Sequence, residues 1–269
     1  MSSDLPIGIF DSGIGGLTVL RHIREILPAE NLIYVADRGH IPYGNKDNDY
    51  IVSRAVQITE FLLDMQVKAI VVACNTATAA AVSILRERYS IPIIGMEPGV
   101  KPAIQHSRNG MIGILATEGT LGSGKFKGLV ERHANGAELF IQPCHGWVEH
   151  IESEGISHAQ SLRLVQGTIG PLIQKNIDTL VLGCTHYPFL ETAIREAVGD
   201  QVKIIDTGYA VASHLKRRLQ ESGLLNPHTQ PGDEQFWCTG SLSEMQRLVN
   251  KFWGNASQIM PLPDQASRS

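Results

Sequence analysis

The chain has 269 residues and a formal net charge of −4, so it can bury an ample core and carries no basic footprint for nucleic acid. No stretch reaches the roughly 18–20 continuous apolar residues that span a bilayer, and MSSDLPIGIF lacks the basic flank and apolar region of a signal peptide. Four cysteines (74, 144, 184, 238) without a CxxC pair make no disulfide framework in a chain this long, which points to reduced thiols and a cytoplasmic location.

Strand and helix signals alternate from the start. IGIF (7–10), NLIYVAD (31–37), AIVVA (69–73) and IPIIG (91–95) read as strands. Residues 17–27 place Leu17, Leu20, Ile23 and Leu27 on one helical side before Pro28 stops the run. Residues 49–66 space Ile51, Ala55, Ile58, Leu62 and Met65 the same way, and the Ala-rich 76–89 continues the rhythm. Such a βαβα order implies an α/β fold with a parallel sheet covered on both faces.

After residue 105 the pattern recurs. IGILATEG (112–119) parallels IGIFDSG (7–13) at an offset of 105, and KIIDTG (203–208) parallels IIGMEPG (93–99) near 111. Two pseudo-symmetric α/β lobes are therefore expected: residues 1–98 plus 210–254 and residues 99–209, with a substrate cleft between them. FWCTGSLSEMQRLVNKFWG (236–254) reads as a strand and helix returning to the first lobe, and residues 255–269 as a mobile tail.

The chemistry concentrates at two cysteines, 110 positions apart in near-duplicate settings: Cys74 in IVVACNTA (70–77) and Cys184 in LVLGCTHY (180–187). Each follows an apolar run whose carboxyl end is where open α/β sheets place their active groups. A lone free cysteine is most often a buried apolar residue, but the duplicated context favours function for this pair. Cys144 and Cys238 lack it and read as structural. Two thiols at matching ends of two related lobes suggest opposed proton-transfer groups on one small substrate, which is the requirement of a racemase.

Other motifs are weaker. Asp11-Ser12-Gly13-Ile14-Gly15-Gly16 resembles a dinucleotide loop, but Thr18 stands where its third glycine belongs. The turn still offers backbone N–H groups to a substrate carboxylate, with Asp11 beside it; a plain helix cap is the simpler alternative. Residues 119–126 approach a P-loop, but Phe126 replaces the magnesium-binding hydroxyl, leaving Thr117 and Thr120 as carboxylate ligands. Asn75, Thr76, Thr185 and His186 follow the two cysteines. Tyr43 lies in a Pro-Tyr-Gly turn after the second strand. No four-ligand zinc array appears, so no metal is expected.

Taken together, IGIFDSGIGGL (7–17), ADRGHIPYGNK (36–46), ACNTATA (73–79), GILATEGT (113–120), LGCTHYP (182–188) and DTGYAVA (206–212) resemble the bacterial glutamate racemase family over nearly the whole chain. The wider superfamily includes aspartate and hydantoin racemases. The resemblance implies a cofactor-independent isomerase acting on L- and D-glutamate for peptidoglycan synthesis. It makes Cys74 the base on the D face and Cys184 that on the L face, with Asp11 assisting Cys74, and His186 and Glu152 assisting Cys184. It also makes Asp11, Ser12, Tyr43, Gly44, Asn75, Thr76, Thr185 and His186 substrate contacts. Relatives often form homodimers. Around PCHGWVEHIE (143–152) the family commonly has Cys-Pro, whereas here His145 follows Cys144. The rival readings are a racemase of aspartate or another acidic amino acid, and a binding or regulatory protein on the same fold.

Overall fold

The computed structural model describes residues 2–134, 136–153, 157–254 and 258–263. The chain divides into two compact units, Met1–Met96 with Gly208–Ser269, and Glu97–Thr207.

The first unit opens with β1 (Ile7–Asp11), α1 (Leu17–Ile26), β2 (Leu32–Ala36), α2 (Asn48–Asp64), β3 (Ala69–Val72), α3 (Asn75–Arg88) and β4 (Ile93–Ile94). β1, β2 and β3 are buried at every position, as a parallel sheet covered on both faces requires. β1 pairs in parallel with β2 (Ile7 opposite Leu32) and with β3 (Ile7 opposite Ala69). β4 is shorter than the expected 91–95 run: pairing with β3 holds only at Ile93 and Ile94, just after Pro92, which has no N–H to donate. The sheet packs closely at Gly8, where a Cβ would lie 2.9 Å from the Leu62 side chain.

The second unit contains α4 (Val100–His106), β5 (Met111–Ala116), α5 (Glu118–Gly122), α6 (Gly124–His133), β6 (Glu138–Pro143), α7 (Trp147–Glu152), α8 (His158–Ile173), β7 (Thr179–Leu182), α9 (Glu191–Val198) and β8 (Lys203–Ile205). Its sheet order, β6-β5-β7-β8, repeats the β2-β1-β3-β4 order of the first sheet. Gly113, 105 positions after Gly8, is under the same constraint: a Cβ there would lie 2.8 Å from Leu180.

The chain then returns to the first unit with α10 (Gly208–Glu221), β9 (Glu234–Cys238), α11 (Leu242–Phe252) and β10 (Met260–Pro261). β9 adds to the outer side of β2, and β10 to β9. Within the stretch expected as a mobile tail, β10 is thus a paired strand, anchored further by the Leu262 N–H donating to Cys238 O at 2.8 Å. Within that stretch residues 255–257 and 264–269 lie outside the described set. Among the described residues no helix is long and apolar enough to cross a membrane.

Candidate active site

In the first unit the carboxyl ends of β1, β2 and β3 carry the polar residues. Asp11 is fully buried at the end of β1. Its Oδ1 accepts the Ser12 backbone N–H at 2.6 Å and the Ser12 hydroxyl at 3.3 Å, and its Oδ2 accepts the Gly16 N–H at 2.6 Å. The glycine turn therefore closes on its own carboxylate. Those two N–H groups are spent on Asp11. Gly16 must be glycine because a Cβ would lie 2.9 Å from the Tyr34 hydroxyl, which donates to Gly13 O at 2.6 Å.

Cys74 lies two residues beyond β3 and is the N-cap of α3; its Sγ accepts the Ala77 N–H at 3.5 Å and lies 4.0 Å from the Ser12 hydroxyl. The amino end of a helix favours negative charge on the sulfur. Asn75 and Thr76 form the first turn of that helix and are buried. Both polar atoms of the Asn75 amide are buried without a hydrogen-bond partner. Such a group costs about 1–3 kcal/mol unless a ligand meets it, so this amide is the clearest sign of a binding position in the unit.

Tyr43 is buried too, but its hydroxyl donates to Asp37 Oδ2 at 2.5 Å. Asp37 in turn accepts Arg54 Nε at 2.9 Å, Arg54 Nη2 at 2.7 Å and the Thr239 hydroxyl at 3.0 Å. Burial first, then the Asp37 charge, pushes the Tyr43 phenol well above its usual range, so it stays a neutral donor. Gly44 follows, half-buried in the same turn. The sequence reading missed Asp37, Arg54 and Thr239. The available signal was Asp37 itself, one residue past β2, much as Asp11 closes β1.

The second unit presents its own set. Thr117 caps α5 by accepting the Thr120 N–H at 3.3 Å, and the two hydroxyls are 3.0 Å apart. Gly183 N donates to Leu115 O at 2.7 Å, and a Cβ on Gly183 would collide with that same oxygen. This close approach delivers Cys184 two residues past β7. Its Sγ is 3.8 Å from His186 Nδ1, and His186 Nε2 is 2.8 Å from Glu152 Oε1, with all three residues buried. Cys184, His186 and Glu152 thus form a continuous chain of contacts, with the carboxylate at one ring nitrogen and the sulfur at the other. Thr185 is buried beside them.

Two further residues pack here. Tyr187 is fully buried and stacks edge-on against Trp147, with centroids 4.9 Å apart. Its hydroxyl faces the Cys144 thiol, which burial drives far above the usual thiol range; Cys144 remains a neutral SH. His145, at the position where the resemblance leads one to expect proline, points to solvent near Glu118.

Comparison with known proteins identifies the family. A model of the Asp/Glu/hydantoin racemase family matches residues 7–215. A glutamate racemase of Methylococcus capsulatus is 50% identical over 96% of this chain and 95% of its own length, and one of Pseudomonas aeruginosa is 46% identical over 94% and 96%. Among solved structures, a Bacillus anthracis glutamate racemase superposes with a TM-score of 0.88 at 34% identity, covering 96% of this chain and 97% of its own. A Francisella tularensis glutamate racemase in complex with D-glutamate gives 0.85 at 32% identity, over 98% and 99%. On a family match of that extent and relatives aligned along nearly their whole length, the chain belongs to the Asp/Glu/hydantoin racemase family.

Proposed function

We propose that this chain interconverts L- and D-glutamate by a two-base mechanism, Cys74 and Cys184 acting on opposite faces of Cα. The product D-glutamate would serve peptidoglycan synthesis, and the protein would work in the cytoplasm. One observation carries the reading: both thiols occupy the same position, two residues beyond equivalent strands, and each has its own charge-stabilising partner.

The chemistry follows from that pairing. One thiolate removes the α-proton while a thiol on the opposite face returns one, and the two exchange roles in the reverse direction. For Cys184 the adjacent imidazole takes or returns the thiol proton, and Glu152 balances the charge this leaves on the ring. For Cys74 the N–H of Ala77 and the amino end of α3 receive the negative charge. The Asn75 amide, with Ser12 and Thr76 beside it, and Thr117, Thr120 and Thr185 supply neutral hydrogen bonds for the substrate's carboxylates and ammonium. Asp11 acts by holding the Ser12 turn against Cys74, and Tyr43 by lining the same strand ends.

The test is the circular dichroism of D-glutamate with purified, EDTA-treated protein and no added pyridoxal phosphate. The expected result is decay of the signal to zero as the racemate forms. An unchanged signal with D-glutamate, or faster loss with D-aspartate, overturns the reading.

A further inference from the structure

Away from the thiols, the first unit has a cavity of about 500 Å³ where the carboxyl end of α3 and the β4 strand meet α10. That size falls within the range of small-molecule sites and exceeds what a single inorganic anion fills. Ile91, Pro92, Ile93 and Ile94 line it along the strand side, the three isoleucines almost fully buried. Its rim carries Arg86, Arg217, Arg218 and His214, with Glu221 as the one acidic group lining it.

These cations are arranged rather than scattered. Arg86 Nε donates to Ile93 O at 3.0 Å, which fixes its planar fork while leaving both terminal nitrogens without a bond to that strand. Arg217 Nη2 lies 3.1 Å from His214 Nδ1. Arg218 is balanced by Glu221 at 3.0 Å, so Arg86 and Arg217 supply the uncompensated charge among the lining residues. Burial, followed by Arg217, Arg218 and Arg86, holds the His214 imidazole below its usual range, as expected where guanidinium fields converge. A positive recess on a chain of net charge −4 is a local feature, not a reflection of overall charge.

We infer that this cavity binds a phosphate ester, its phosphate on Arg86 and Arg217 and its organic group in the remaining volume beside the 91–94 segment. Guanidinium forks match phosphate oxygens two at a time, and the cavity of about 500 Å³ leaves room for an organic group that free phosphate does not use. The cavity of about 480 Å³ in the second unit serves as the contrast. Arg108, Arg195 and Lys203 line it, but so do Asp178 and Asp200, and Arg195 is bonded to Gly199 O and Val202 O.

Isothermal titration of the full chain with phenyl phosphate, in the presence of saturating D-glutamate, tests the site without resting on the racemase reading. One equivalent is expected to bind at least about 10-fold tighter than inorganic phosphate. Arg86→Glu and Arg217→Glu should each weaken binding by about 10–100-fold, the scale of a charge-assisted hydrogen bond, while Lys203→Glu leaves it unchanged. Absence of binding to the wild type, or equal affinity in the arginine variants, overturns the inference. A second reading needs no variant: the His214 ring titration followed by NMR should move upward when phenyl phosphate is bound, and an unmoved titration also overturns it.

Discussion

The two units solve one problem with the same backbone and different side chains. Ala73 N donates to Phe10 O at 2.8 Å and Gly183 N to Leu115 O at 2.7 Å, so each thiol hangs from an equivalent strand crossing. At the other end of those strands, Lys68 N donates to Pro6 O and Asp178 N to Met111 O, again equivalent positions. Yet Cys74 caps a 14-residue helix, whereas Cys184 enters a tight turn and relies on an imidazole and a carboxylate. At the base, Lys68 forms a buried ion pair with Glu30 at 2.5 Å, while Asp178 is held by hydroxyls and backbone N–H groups. Backbone geometry places the sulfur, and the local environment decides what stabilises its charge. The two can vary independently.

Four expectations sharpen that contrast. The largest effect is loss of either thiol: Cys74→Ala and Cys184→Ala should each lower kcat/KM by at least about 10³-fold, near 4 kcal/mol at 1.36 kcal/mol per tenfold. Enantiomers have equal free energy, so a chiral assay must show the same loss of kcat/KM in both directions. Next is Lys68→Ala, which strands Glu30 in the core; denaturant melts should show about 3–5 kcal/mol lost. If Lys68→Ala costs less than about 1 kcal/mol, the buried pair is not what fastens the base of the first sheet.

His186→Asn follows, with kcat expected to fall about 10²-fold through loss of the proton relay while melting is little changed. A fall of less than threefold would mean that Cys184 works without its imidazole, as Cys74 does. The smallest effect concerns Asp178. Burial raises its pKa, but hydrogen bonds from Ser107, Asn109, Thr179 and Arg108 outweigh that and hold it below the usual carboxylate range. A depressed folded-state pKa adds stability that is complete above the unfolded value of about 3.9 and is lost as pH falls through the folded one. Asp178→Asn should therefore cost about 1–3 kcal/mol at pH 7, and the gap from wild type should narrow below about pH 4. A gap independent of pH would contradict it.

Much of this was legible in the sequence because it rests on local periodicity. The apolar runs before Cys74 and Cys184 announced buried strands, and the near-constant offset between paired motifs announced two sheets of one topology. What stayed hidden depends on long-range pairing. Nothing local shows that Asp11 takes two N–H groups of its own glycine turn, or that Tyr43 turns its hydroxyl to Asp37 and, through it, to Arg54 and Thr239. The paired strand inside 255–269 was also invisible, since two residues carry no periodicity. Glu152 was placed only by resemblance; its 2.8 Å contact with His186 spans 34 positions of chain.

The most direct measurement of the two-base account is α-proton exchange in D₂O, followed by NMR, for Cys74→Ala and Cys184→Ala with each pure enantiomer. Each variant keeps one base, which can remove and return a proton on one face only. Cys74→Ala should exchange the α-proton of L-glutamate but not of D-glutamate, Cys184→Ala the reverse, and neither should invert the centre. Racemisation by either variant, or exchange of both enantiomers by one of them, would contradict the account.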